Sequence, residues 1–192
     1  MLNPVNPGRR RLLSASGTAT LSAAAVTLLA GCASAAAKTG DMMSKDADIL
    51  NVALGLEHEA INAYQLGAQS GLLLKPVLDV AVLFQSHHKS HRDALIATIE
   101  KLGGRPVAEK SLGEYAKALR AETLKNQADV LNLAARLELG ATNAYLGVIP
   151  AFKDVNLAKV AARLAADETM HWTTLAGALG RPLPSAALTF GA

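Results

Sequence analysis

LEHEAINAYQLG at residues 56–67 and LELGATNAYLG at residues 137–147 carry one pattern, Leu-Glu-x-x-Ala-x-Asn-Ala-Tyr, repeated 81 positions apart. Glu57 thereby pairs with Glu138, Asn62 with Asn143 and Tyr64 with Tyr145. A second echo follows each copy: His88, His91 and Leu95 of HKSHRDAL align with Glu168, His171 and Leu175 of ETMHWTTL, 80 positions later. Both copies then break at Leu-Gly with Arg-Pro close behind, at Leu102 to Pro106 and Leu179 to Pro182. The repeating unit is two helices, the first bearing a Glu and the second an x-x-His couple.

Helical spacing sends these groups inward. Positions i, i+4, i+7 and i+11 share one face, so Phe84, His88, His91 and Leu95 form one stripe, and Leu164, Glu168, His171 and Leu175 form another. Glu57 falls in line with Leu50, Leu54, Ile61 and Tyr64. Glu138 falls in line with Leu131, Ala135, Thr142 and Tyr145. Ionisable groups bracketed by apolar ones must enter the core, where each unpaired charge costs several kcal/mol. Divalent cations resolve such a cluster most simply, because Glu-x-x-His reaches one ion from a single helix and a Glu from a neighbouring helix closes the site. The alternative is a duplicated relic satisfied by Glu-His pairing without metal.

At these residues the chain resembles the ferritin-like superfamily of carboxylate-bridged di-metal proteins, which includes ferritins and rubrerythrins. That pattern is Glu on helix one, Glu-x-x-His on helix two, Glu on helix three and Glu-x-x-His on helix four. The resemblance covers about Asp46 to Gly180. It implies that Glu57 and His91 hold one ion, that Glu138 and His171 hold the other, and that Glu168 is a bridging carboxylate. His88 departs from the pattern, standing where the second bridging Glu is expected, and an imidazole does not bridge two ions as a carboxylate does. A half-site of Glu57, His88 and His91 remains able to hold metal. The other register, Gln85-x-x-His88, spoils the alignment of Leu95 with Leu175. The resemblance implies one or two divalent ions, iron or manganese first, with zinc a further candidate.

Tyr64 and Tyr145 stand two turns beyond their Glu on the same face, placed either to hydrogen-bond the ligands or pass electrons, or simply to fill the core. His58, His87 and Glu59 lie one or two positions off the ligand stripe and read as surface or boundary residues. Trp172 reads as packing. Asn62 and Asn143 recur with the repeat and are placed to pair across helices.

The order of elements is all-α. The first helix is expected from a cap at Asp46 or Asp48 to about Ala68, and the second follows Pro76 and runs to Gly103-Gly104. A long connection carries a capping box, Ser111-Leu112-Gly113-Glu114, and hence a short helix over Glu114 to Ala121 lying across the bundle. The third helix is expected from about Lys125 to Ile149, stopped by Pro150, and the fourth from Asp154 or Asn156 to Gly180. Residues 181–192, RPLPSAALTFGA, should be extended. Short loops within each pair and one long crossover between pairs describe a ferritin-like up-down four-helix bundle of two repeated hairpins. The 51% hydrophobic and 4% aromatic composition fits helices packed through Ala and Leu.

The first 31 residues are read separately. Arg9-Arg10-Arg11-Leu12-Leu13, followed by an Ala/Ser/Thr/Leu run, resembles a twin-arginine export signal, and Leu29-Ala30-Gly31-Cys32 resembles a bacterial lipobox. The lipobox implies lipidation of Cys32, a membrane partner through that lipid, and a mature chain of 161 residues from Cys32 to Ala192. Ser34 rather than Asp at the second place after Cys32 directs the lipoprotein to an outer membrane if the cell has one, with the domain in the periplasm. A permanent membrane anchor is the alternative, against which the Ser/Thr/Gly content weighs. Residues 32–45 read as a flexible tether.

The formal charge is +3, but Arg9 to Arg11 supply the surplus, and the remainder balances 16 basic against 16 acidic residues. A nucleic-acid partner is therefore not expected. The leading function is an exported, lipid-anchored metalloprotein reacting with oxygen, peroxide or ferrous ion as substrate. The alternative is a helical envelope lipoprotein whose metal is structural or absent. Homo-oligomerisation is left open.

Overall fold

The computed structural model describes residues 39–191, and the expected export signal, Cys32 and most of the expected tether lie outside them. Four long helices carry the fold: α1 (Thr39–Gln69), α2 (Lys75–Lys101), α4 (Gln127–Val148) and α5 (Val155–Ala178). A short helix, α3 (Leu112–Ala118), sits in the crossover. No strand occurs among the described residues. Helix α1 begins before Asp46 and Asp48, so neither caps it, and Thr39 to Lys45 are helical rather than tether. Once a helix is nucleated, each further residue adds a hydrogen bond at little cost, and Met42, Met43 and Lys45 are good helix formers.

The other boundaries follow their punctuation. Leu74 caps α2 with Pro76 in its first turn. Ser111 and Glu114 form the reciprocal capping box of α3. Arg120, in the left-handed region at φ 54°, separates α3 from a 3-10 turn at Ala121–Thr123, so α3 ends short of the expected Ala121. Asn126 and Asp154 cap α4 and α5 through their side chains. Gly103 (φ 76°) and Gly180 (φ 68°) reverse the chain after α2 and α5, with Gly104 N–H donating to the Ile99 carbonyl and Arg181 N–H to that of Ala176. This is the hydrogen-bonding that an αL residue after a helix permits.

Apolar packing divides the bundle interior into two layers. In one, Leu50 and Leu54 of α1 meet Leu95 and Ile99 of α2, Tyr145 of α4, and Leu157 and Leu164 of α5. In the other, Tyr64 meets Ala81, Phe84, Leu131, Ala135 and Leu175. The start of α1 thus lies with the ends of α2 and α4, and with the start of α5. Within each hairpin the helices are antiparallel, while the crossover returns α4 in the same direction as α2. Between the two layers stand the ionisable positions.

The crossover is strapped to α1. Asn51 donates from Nδ2 to the Arg105 carbonyl (3.0 Å) and accepts the Val107 N–H (2.7 Å). Asn62 donates to Glu109 Oε1 at 2.6 Å. Asn143 accepts the Gly191 N–H at 2.8 Å, and Phe190 sets its ring against Trp172, so the tail lies back on α4 and α5. The two repeated asparagines therefore do not pair with each other; each ties down the chain segment that passes over its own helix.

Replacing Asn51 by Ala removes its two ties to the crossover and leaves that from Asn62 to Glu109. Hydrogen exchange should then run about tenfold faster at the Val107 amide, while the amide of buried Leu95 keeps its protection.

Candidate metal centre

Glu57, His88, His91, Glu138, Glu168 and His171 converge between the two apolar layers, and all six are buried. Glu57 comes from α1, His88 and His91 from α2, Glu138 from α4, and Glu168 and His171 from α5. They form two overlapping groups. Glu57, His88, His91 and Glu168 make one, and His88, Glu138, Glu168 and His171 make the other; within each group the ligand atoms lie within 4.8 Å of one another.

Two residues are divided between the groups. Glu168 turns Oε1 to His91 Nδ1 (3.2 Å) and Oε2 to His171 Nδ1 (3.2 Å). His88 turns Nδ1 to Glu57 Oε2 (2.8 Å) and Nε2 to Glu138 Oε1 (3.1 Å). The remaining contacts are His91 Nδ1 to Glu57 Oε2 at 3.6 Å, His171 Nδ1 to Glu138 Oε2 at 3.4 Å and His88 Nε2 to Glu168 Oε2 at 3.8 Å. Ligands about 2.1 Å from one cation stand roughly 3.0 Å apart in an octahedron and roughly 3.4 Å apart in a tetrahedron. Several of the donor pairs already have that spacing. The alignment through His88 and His91 is the one that places its residues here. Gln85 instead faces α1, donating to the Ile61 carbonyl at 3.0 Å.

The tyrosines are not mere fillers. Tyr64 of α1 donates its hydroxyl to Glu138 of α4, and Tyr145 of α4 donates to Glu57 of α1. Each half of the molecule thus holds the carboxylate of the other.

Two residues outside the expected set complete the arrangement. His87 Nδ1 lies 3.0 Å from His171 Nε2, and Asp167 Oδ2 lies 3.2 Å from His91 Nε2. Both buried imidazoles therefore turn Nδ1 toward the cluster and Nε2 toward a half-buried partner. His87 had read as a boundary residue; it is a hydrogen-bond partner of a cluster histidine. The repeat contained the signal, since His87 and Asp167 stand 80 positions apart and each directly precedes a cluster residue. His58 also departs from the surface reading. The crossover covers it, and its Nε2 lies 3.2 Å from the Val107 carbonyl oxygen.

Electrostatics follow from burial opposed by pairing. Burial disfavours the Glu57 carboxylate, but His88 and His91 outweigh it and pull its pKa down to about 2. Burial likewise opposes the Glu138 carboxylate, and His171 and His88 hold it well below the usual range. Burial keeps Glu168 above its usual value against the pull of His171 and His91. Burial disfavours imidazolium at His91, yet Glu168 and Glu57 raise it to about 10. His88 and His171 are raised by their carboxylates in the same way, against burial. His87 is lowered, by burial first and then by His171 and His91, which favours its neutral form, able to accept a hydrogen bond from His171 Nε2.

Two atoms test the fit to a cation. His91 Nδ1 and Glu168 Oε1 are buried and face each other in the first group at ion-pair distance, 3.2 Å, without the geometry of a hydrogen bond. With the imidazolium proton displaced, a nitrogen lone pair and a carboxylate oxygen so placed are donors for a metal ion, so these buried groups could hold one.

A family model described as a ferritin-like domain matches residues 45–181. A comparison with curated proteins returns no match.

For the metal-free protein the pKa directions set a pH window. A raised His contributes stability that is whole below its unfolded value near 6.5 and is lost as pH climbs through about 10 for His91. A lowered Glu contributes stability that is whole above its unfolded value near 4.5 and is lost as pH falls through about 2 for Glu57. Glu168, raised, works in the opposite sense to Glu57 and blunts the acid limb. Thermal melts with chelator present should therefore peak between about pH 4.5 and 6.5 and fall toward both sides. A melting temperature that climbs steadily from pH 6.5 to 9 would contradict this arrangement.

Proposed function

The chain belongs to the ferritin-like domain family, and on that premise we propose that it is an exported, lipid-anchored metal-binding protein. Its ions are iron or manganese, and its reaction partner is oxygen, peroxide or ferrous ion. The observation that supports metal binding is the convergence of buried Glu and His donors into two groups whose atoms lie within 4.8 Å of one another. Mixed carboxylate and imidazole donors suit Fe(II) and Mn(II), and zinc binds such sets as well. When bound, the metal supplies one-electron chemistry and an open position for a small oxidant.

The chain's own residues perform the rest. Glu168 turns one oxygen to each group and would be the carboxylate shared between ions held there. A neutral His88 has one lone pair, so it would serve one ion and donate N–H to the carboxylate of the other group. Tyr64 and Tyr145 fix the orientation of Glu138 and Glu57 by donating to them. His87 and Asp167 accept from the outer nitrogens of His171 and His91, selecting the tautomer whose Nδ1 lone pair points inward. Water is excluded by the apolar layers above and below.

Duplication of one helical hairpin accounts for this organisation. Positions paired by the 80- and 81-residue offsets take equivalent places around the cluster, including His87 and Asp167. Export and lipidation rest on the twin-arginine and lipobox resemblances at residues 9–13 and 29–32, which lie outside the described residues. Among those described, no helix is long and apolar enough to cross a membrane.

The second reading is a non-catalytic envelope bundle without metal. It is favoured by His88, which bonds Glu57 and Glu138 together as an imidazolium would. Elemental analysis of a soluble form beginning at Ala33 separates the two. The first reading expects stoichiometric iron or manganese, falling at least tenfold in both Glu168→Ala and His171→Ala. Purified protein that holds no iron or manganese establishes the second.

His87→Ala and Asp167→Ala leave every proposed ligand in place but free an imidazole to turn. Each should weaken metal binding about 10- to 100-fold in a competition titration. The corresponding change at exposed Lys89 should leave it unaltered.

A further inference from the structure

A cavity of about 250 Å³ lies at the end of the bundle beyond the cluster, on the side of the α1–α2 loop. Its inner walls are the buried Tyr64, Ala81, Leu131 and Leu175, and it opens past the exposed Pro76 and Ala178. Only two lining side chains carry a polar atom, and both are engaged. The Tyr64 hydroxyl donates to Glu138, and the Thr174 hydroxyl donates to the Met170 carbonyl at 2.9 Å. A charged guest would lose its hydration there, and a hydroxyl could reach only the spare lone pairs of two oxygens whose protons are already committed.

The space is made by small residues at the meeting of all four long helices. Ala63 and Gly67 of α1, Ala81 of α2, Ala134 of α4 and Ala178 of α5 all border it. Empty volume in a core costs stability in proportion to its size, and interiors are normally close-packed. An apolar cavity of about 150 Å³ already takes a benzene-sized molecule, so this one is large enough for such a guest.

We propose that this cavity is a binding site for a small uncharged hydrocarbon group, a single ring or short alkyl chain, held against the ring of Tyr64. Tyr64 belongs to both places: its ring walls the cavity, and its hydroxyl holds Glu138. A guest therefore sits one side chain away from the buried carboxylates. The site does not rest on metal binding, because its walls are apolar side chains that an ion in the cluster would not touch.

The probe is toluene, titrated into the full chain and followed by amide chemical shifts and by the melting temperature. Saturable binding is expected, with shifts concentrated at Ala63, Ala81 and Leu175, and phenol should bind at least tenfold more weakly. Ala81→Leu fills the inner wall and should weaken toluene at least tenfold with metal content unchanged. Should that variant not fold, Ala178→Leu at the exposed mouth should give the same loss. Leu175→Ala enlarges the space and should admit butylbenzene. Protein stripped of metal by chelator should still bind toluene, so this inference and the metal reading fail separately. Absence of saturable binding, equal binding of phenol, or toluene binding that survives the folded filling variants overturns the proposal.

Discussion

Charge compensation at the middle of a helical bundle is the constraint on which this molecule depends. Three carboxylates and three imidazoles stand where each of the four long helices would otherwise present apolar side chains. Removing any one leaves its partners as uncompensated buried groups, which is far costlier than losing an exposed ion pair. The low pKa of Glu57 and the high pKa of His91 are two expressions of the same mutual stabilisation. A cation adds positive charge from outside the protein, and it must displace protons from the imidazoles to do so.

The same cluster joins the two halves of the chain. Leu54 with Leu95, and Tyr145 with Leu164, exemplify the packing around it, but packing alone sets no unique register between helices. The crossed bonds from Tyr64 to Glu138 and from Tyr145 to Glu57 do, because a slip of either helix leaves a buried carboxylate without its donor. The outer bonds from His171 to His87 and from His91 to Asp167 extend the order from the core to the half-buried boundary. The 80-residue offset sets His88 against Glu168 and His87 against Asp167, an imidazole in one half where the other has a carboxylate. One group there can be a cation and the other an anion, so the pseudo-symmetric frame is electrically asymmetric.

Much of this was legible in the residues because helical periodicity and a repeat encode it directly. Glu57, Glu138, Glu168, His88, His91 and His171 lie on apolar stripes, and a charge on such a stripe has nowhere to go but inward. Capping at Ser111, Asn126 and Asp154 follows local hydrogen-bonding rules that need no tertiary information. The exceptions share a cause. His87 and Asp167 are displaced by one position from the inward stripe, and only the approach of the opposite hairpin turns them into partners. His58 reads as exposed until the crossover covers it, and the asparagines of the repeat acquire their roles from segments distant in sequence.

The amino-acid sequence by itself determined the helices, their amphipathic faces and the six ionisable residues aimed into the core, since these depend on spacings within single turns. Only the tertiary structure decided which atoms meet. It turned Glu168 and His88 each toward both groups, crossed the tyrosines between halves, and set His91 Nδ1 against Glu168 Oε1 at ion-pair distance. It also opened the apolar cavity beside Tyr64. Those features arise from the distances and angles between helices, and packing of the whole chain sets those through contacts that no local pattern of residues contains.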